Sequence, residues 1–222
     1  MTTRSDRTRN RILDAAELLY ADRGVDGVSL REIRLAAGQR NSSALQYHFG
    51  DASGLLRALA ERHMPRIGVL HDRLRAELVL ADSHPEPDLL LELMIRPWAD
   101  YISHGPQARA WIRVAAETSA RPEREWHEYV DHAPGGIVQT GAVLLGQLEG
   151  PLGPRLALDR MTRVNLAALH LCADRARQAG GSELVLLAHE DWVDDLVVTS
   201  VAALLAPARG AVVRANRPVS DP

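Results

Sequence analysis

The sequence predicts an all-α protein, with an N-terminal three-helix unit of the helix-turn-helix type followed by a larger helical bundle. Three observations point there. Apolar residues recur at helical spacing almost throughout, and no alternating β-branched run marks a strand. Ala, Leu and Arg dominate, and all three favour helix. Helix-capping residues and glycines cut the first 60 residues into short units, whereas the segments after 150 are long.

The first helix is expected over about residues 6–23, with Ile12, Ala15, Ala16 and Leu19 on its apolar face and Gly24 as its stop. Ser29 opens the second. Glu32 follows three residues later, so the hydroxyl and the carboxylate can each satisfy a free backbone N–H in a capping box. Leu30, Ile33 and Ala37 give this helix an apolar side, and Gly38 ends it. A polar turn over residues 39–43 follows. Asn41 or Ser42 can cap a short third helix carrying Ala44, Leu45 and Phe49 on its inner side, and Gly50 closes it. Asp51 can cap a fourth helix through Leu55, Leu56 and Leu59, which Pro65 is expected to kink or break.

Further helices are expected over residues 89–103, from Gly105-Pro106 to residue 120, over 123–132 and over 137–148. The run Gly150-Pro151-Leu152-Gly153-Pro154 reads as a loop and a firm boundary. Two long helices remain, at about 155–178 and 182–205, before a tail over 208–222 that mixes Arg, Gly, Asn and Pro and is expected to be disordered. The expected division is 1–50 as a DNA-binding head, 51–207 as a body for ligand binding and dimerisation, and 208–222 as the tail.

Net charge is -3, so bulk charge does not advertise a nucleic-acid partner, but its distribution is uneven. Residues 1–50 hold eight Arg against six acidic residues, and the remainder holds eighteen against twenty-three. Every basic residue is Arg, and Arg4, Arg7, Arg9 and Arg11 crowd into the first eleven positions. Such a cluster suits a phosphate backbone, or equally a solvated terminus.

Two short helices joined at a glycine turn form a helix-turn-helix, whose second helix fits the major groove of DNA with its first residues at the base edges. The outward residues here are Arg40, Asn41, Ser42, Ser43, Gln46 and Tyr47. Arg suits guanine, and Asn and Gln suit adenine. Tyr47, His48 and the hydroxyls of Ser29 and Ser43 suit phosphates.

The stretch ILDAAELLYADRGVDGVSLREIRLAAG, followed by ALQYHFGDASGLLRAL, closely resembles the TetR family of bacterial repressors. The family pattern is a first helix of the form ILDAA-x-x-L, then RG, a S/T-L-x-x-I-A-x-x-A-G helix and an L-Y-x-H-F recognition helix. The resemblance runs from Arg11 to about Leu59, under a quarter of the chain. Three departures stand out. Seven steps separate Gly38 from Leu45 where the family has six, so one extra residue sits in the turn or at the start of the recognition helix. Gln46 replaces the usual Tyr, with Tyr47 next. Ala52 stands where the family often has a phosphate-holding Lys.

The resemblance implies a double-stranded DNA operator as partner, repression by operator occupancy, and a homodimer whose last two long helices pair with their mates to read a palindrome. The helix at 182–205 agrees: Leu184, Val185, Ala188, Trp192, Val193, Leu196, Val197, Val201 and Leu204 give it more apolar girth than one buried side needs, although a fully internal core helix is the alternative. The resemblance also implies a small, largely apolar effector. Aromatic residues beside a few polar groups are candidates for its pocket: Trp98, Tyr101, Trp111, Arg113, Glu117, Trp126 and His170. Each is equally at home in a core or on a surface.

Other classes lack their signatures. The chain has no Cys pair, no HExxH pattern around His127 and His132, no glycine-rich phosphate loop and no GxSxG elbow. No catalytic residue, metal or cofactor is therefore expected. A helical adaptor without DNA binding, or a helical hydrolase, is the alternative reading. The lone Cys172 fits a reducing compartment, and no signal-like or membrane-length apolar run is present, so a cytoplasmic location is expected.

Overall fold

The computed structural model describes residues 3–41, 44–79, 85–119, 135–179 and 186–208. They form nine α-helices and one 3-10 turn, with no strand among the described residues, as the apolar spacing predicts. None of these helices is long and apolar enough to cross a membrane. The expected helix at 123–132, and with it Trp126, lies outside the described residues, as does most of the tail.

Helix α1 spans Arg4–Arg23 and starts ahead of the expected residue 6 because Thr3 caps it. The Thr3 hydroxyl accepts the Asp6 N–H at 3.1 Å, and the Asp6 carboxylate accepts the Thr3 N–H at 2.9 Å. Its buried face is Ile12, Leu13, Ala16, Glu17 and Tyr20, rotated from the expected one so that Ala15 and Leu19 sit half-buried on the flank. At Gly24 the chain turns with φ 78°, and a Cβ there would stand 3.2 Å from a Glu117 carboxylate oxygen.

Helices α2 (Leu30–Ala36) and α3 (Ala44–Phe49) follow, then α4 (Ala52–Val79). Contrary to expectation, α4 runs through Pro65 as one helix. Both Pro65 and Glu61, whose carbonyl loses its donor, face solvent, where water can replace the bond. Leu59, Ala60, Met64 and Ile67 bury the helix on both sides of the proline.

In the body, α5 (Pro87–Tyr101) leads through the 3-10 turn Ile102–His104 into α6 (Pro106–Ser119), and α7 is Gly135–Leu152. The expected boundary at 150–154 is present but narrower than five residues: Pro151 belongs to the last turn of α7, and the break is Gly153 at φ 76°. Pro154 then starts α8 (Pro154–Gln178) at its first turn, where its missing N–H costs nothing. The last helix, α9 (His189–Leu205), begins well after the expected residue 182. Leu186 and Leu187 precede it in irregular, exposed backbone, Ala188 is its N-cap, and Leu184 and Val185 lie outside the described residues.

Helix α5 is the hub of the body and packs against α4, α6, α7, α8 and α9, while α6 lies along α8. The head joins the body where α1 packs on α6. One hydrophobic core runs without interruption from Ile12 in α1 to Leu204 in α9. Each fully buried Leu or Ile in it contributes roughly 1.5–3 kcal/mol over the exposed state.

Candidate nucleic-acid interface

The second helix is fixed at its start. The Ser29 hydroxyl donates to a Glu32 carboxylate oxygen at 2.7 Å, Ser29 N–H donates to the same oxygen at 2.9 Å, and Glu32 N–H donates to the Ser29 hydroxyl at 3.3 Å. Arg23 from the end of α1 closes on the other Glu32 oxygen at 2.8 Å. Hydrogen bonds from the Ser29 hydroxyl and backbone, aided by Arg23, hold the Glu32 carboxyl at about 2. The Ser29 side chain, read from sequence as a phosphate ligand, is thus engaged in the cap.

The turn is held from the same helix. Gly38 takes φ 65°, and Arg34 Nη1 donates to the Gln39 carbonyl at 2.8 Å and to the Arg40 carbonyl at 3.2 Å. Gln39 Nε2 donates to the Ala37 carbonyl at 3.2 Å. Ser42 and Ser43 lie outside the described residues.

In α3, Leu45 and Phe49 stand four apart and are buried, so Gln46 and Tyr47 face outward, and Tyr47 is 81% exposed. The end of α3 is pressed against the start of α4. A Cβ on Gly54 would lie 1.9 Å from the Phe49 carbonyl oxygen, so only glycine fits that place without a shift. From α1, the Arg9 guanidinium covers the Phe49 ring at 5.5 Å and pairs with Glu61 of α4 at 3.3 Å. Helix α3 is short, but both neighbours clamp it.

The outward side chains gather around a hollow of about 640 Å³. Asn41, Gln46, Tyr47 and His48 line one side of it, and Arg4, Ser5 and Thr8 from the first turns of α1 line the other. A second concavity beside it is bounded by Arg4, Arg7, Asn10 and Arg11. Tyr47 and His48 meet edge to face at 5.1 Å. Four of the predicted contact residues therefore share one surface, whereas Ser29 and Arg40 do not line it. Gln39, Ser5 and Thr8 do, and the sequence reading had not singled them out. The Arg cluster at positions 4–11 was the signal that this turn of α1 belongs to the same face. The surface offers amide, hydroxyl and imidazole groups and is edged with guanidinium groups, a form that can meet both base edges and phosphates.

The inner side of the head is built differently. Glu17 of α1 is fully buried and bonds through its carboxylate to His63 Nε2 of α4, while Arg62 Nη1 reaches its other oxygen at 3.3 Å. His63 Nδ1 and the Tyr101 hydroxyl lie 2.7 Å apart, and the His63 ring stacks on Trp111 at 5.3 Å with 6° between planes. Burial raises the pKa of the Tyr101 hydroxyl. Of the residues proposed from sequence to meet a ligand, Tyr101 and Trp111 thus come together around His63, and Trp111 Nε1 has no hydrogen-bond partner among the described residues.

The others scatter. Both Glu117 carboxylate oxygens accept the Val25 N–H, at 3.1 and 3.3 Å, tying α6 to the link between α1 and α2. Arg113 is half-buried, and burial together with nearby Arg177 lowers its pKa. Trp98 is half-buried on α5, and His170 stands exposed on α8. His63 and Glu17 escaped the sequence reading. The signal for Glu17 was an acid at a position that helical spacing places on the apolar face.

No protein-family model matches the chain, and no curated protein does. Solved structures similar to it include a bacterial regulatory protein in the tetR family from Rhodococcus RHA1, 17% identical over 91% of this chain and 98% of that one, with a TM-score of 0.48. GusR of Salmonella enterica is 16% identical over 91% and 97% of the two chains, with a TM-score of 0.46. A gamma-butyrolactone receptor described as ArpA-like is 23% identical over 89% and 98%, with a TM-score of 0.41. The head of this chain turns a clamped, outward-facing α3 and the arginine-bearing start of α1 to the same side.

Proposed function

We propose that this chain is a TetR-family transcriptional regulator that represses by occupying a palindromic double-stranded operator as a homodimer and is released by a small, largely apolar effector. The observation that carries this reading is the shared outer surface of α1 and α3. Gln46 and Tyr47 project from a short helix whose other face is clamped, and Arg4, Arg7 and Arg11 flank it. An α-helix fits the major groove, Gln reads adenine bidentately, and guanidinium groups beside it track phosphates. The motif resemblance over Arg11 to Leu59 supports the family. Despite the residue extra to that pattern, Leu45 and Phe49 are turned inward and Gln46 outward.

Exposed apolar side chains on the last two helices support the homodimer. Val198, Ala202 and Leu205 form one exposed stripe on α9, with Val198 65% exposed, and Leu158 and Leu171 stand exposed on α8. A two-fold axis there would set two α3 helices at half-site spacing. Tyr101 and Trp111 meet around His63 close to the contact between body and head, where an apolar effector would act on both. A regulator of this kind acts in the cytoplasm.

The test is selection of bound duplexes from a random-sequence pool with the ligand-free full chain, followed by sequencing and a salt titration. We expect a palindrome whose affinity falls about a thousandfold between 50 and 200 mM salt. Failure to enrich any sequence at low salt would refute the reading and favour a helical adaptor.

A further inference from the structure

We propose that Asp100 of α5 with His189 and Glu190 of α9 forms a binding site for a single zinc ion. Their ligand atoms, one imidazole nitrogen and two carboxylate oxygens, lie within 4.8 Å of one another. Two of those atoms are conspicuous by themselves. Asp100 Oδ1 and His189 Nε2 are both closed off from solvent, and neither has a hydrogen-bond partner among the described residues. Buried polar atoms are nearly always partnered, so a facing pair left open calls for an occupant.

The two atoms are 3.8 Å apart, too far for a hydrogen bond and close to the spacing of two ligands of one ion. Ligands about 2.1 Å from a tetrahedral zinc stand about 3.4 Å apart, so a shift of a few tenths of an ångström seats the metal. Glu190 gives one oxygen to Arg96 at 3.3 Å and retains a second. Its side chain is exposed, so the site opens to solvent on that side for entry and for a water as fourth ligand. The His189 ring is steadied by Trp192, 6.2 Å away with 28° between planes, and Trp192 is covered in turn by the Arg175 guanidinium at 5.3 Å.

Local charge favours a cation. Glu92, Glu190 and Asp194 all pair with the single guanidinium of Arg96, and Asp100 makes no bond to it. The acidic first turn of α9, Glu190 and Asp191, outweighs the positive partial charge of about half a unit at a helix N-terminus. One imidazole with two carboxylates is a donor set that zinc accepts readily. Because α5 and α9 are joined otherwise by packing and by the Arg96 pairs, the ion would fasten the first turn of α9 to the hub of the body.

The experiment is zinc titration of the chelator-stripped full chain by calorimetry, with metal content measured after dialysis and cobalt(II) absorption as a reporter of the ligand set. We expect one zinc per chain, and at least a tenfold loss of affinity in both Asp100→Asn and His189→Gln, with the cobalt bands altered in each. Zinc binding that is absent, or that is unchanged in both variants because others of the nine histidines carry it, overturns the proposal. If circular dichroism shows that either variant has lost its helices, Glu190→Gln, at an exposed position, supplies the same readout.

Discussion

The two sides of the head differ in almost every physical respect. The outer side, at Asn41, Gln46, Tyr47 and Arg4, carries polar side chains and is exposed. The inner side, at Glu17, His63, Tyr101 and Trp111, is closed to solvent and joins side chains from α1, α4, α5 and α6. Helix α1 takes part in both: its first turns edge the outer hollow, and Glu17 and Tyr20 anchor its second half. The difference teaches that surface chemistry and stability are assigned to separate residues on one small unit. A change outside can alter what the head recognises without loosening it, and a change inside loosens head and body together.

Mutations can break or sharpen that contrast. Trp111→Ala removes a fully buried indole together with the ring that supports His63, and about 4 kcal/mol of unfolding free energy should be lost in urea denaturation. Glu17→Ala leaves the buried His63 Nε2 without its carboxylate, while Arg62 keeps Asp14 at 2.6 Å, and a loss of about 2 kcal/mol is expected by the same measurement. A loss under 1 kcal/mol there would mean that the buried pair does not lock head to body.

Ser29→Ala should cost about 1 kcal/mol through the lost cap of α2. It should also change the response to acid. The Glu32 carboxyl is held at about 2, below its ordinary 4.5, so its contribution is complete above pH 4.5 and disappears as pH falls toward 2. Thermal unfolding across that window should show a shallower acid dependence in the Ser29→Ala protein. The smallest effect on stability belongs to Gln46→Ala and Tyr47→Ala, within about 0.5 kcal/mol of the parent, since neither side chain is buried. Each should nonetheless weaken operator binding at least tenfold in a fluorescence anisotropy titration. A stability loss above 2 kcal/mol from either would show that the outer face is structural.

Much of the head was legible in sequence because its signals are local. The Ser29–Glu32 box, the stops at Gly24, Gly38 and Gly50 and the inward pair Leu45 and Phe49 depend on spacings of three or four residues. The Thr3–Asp6 box has the same form, and it starts α1 two residues ahead of the expected position. Of the candidate site, Asn41, Gln46, Tyr47 and His48 do share a surface, because helix periodicity fixes which residues of α3 face away from Leu45.

Local signals failed at the prolines. Pro65 is a helix breaker by propensity, yet α4 passes through it, and Pro151 still belongs to the last turn of α7, which ends at Leu152. The flanking burial that carries α4 through Pro65 is settled by packing against distant segments.

The sequence by itself determined the all-α character, the capped and glycine-punctuated head and the outward face of α3, since each follows from backbone capping and from a 3.6-residue period within one segment. Only the tertiary structure decided that Glu17 meets His63, that Glu117 holds Val25, and that Asp100 faces His189. Those partners stand 46, 92 and 89 positions apart, and no local rule encodes which helices pack or at what depth. That choice is made by burying apolar surface across the whole chain at once, and the polar pairs are fixed by where the packing leaves them.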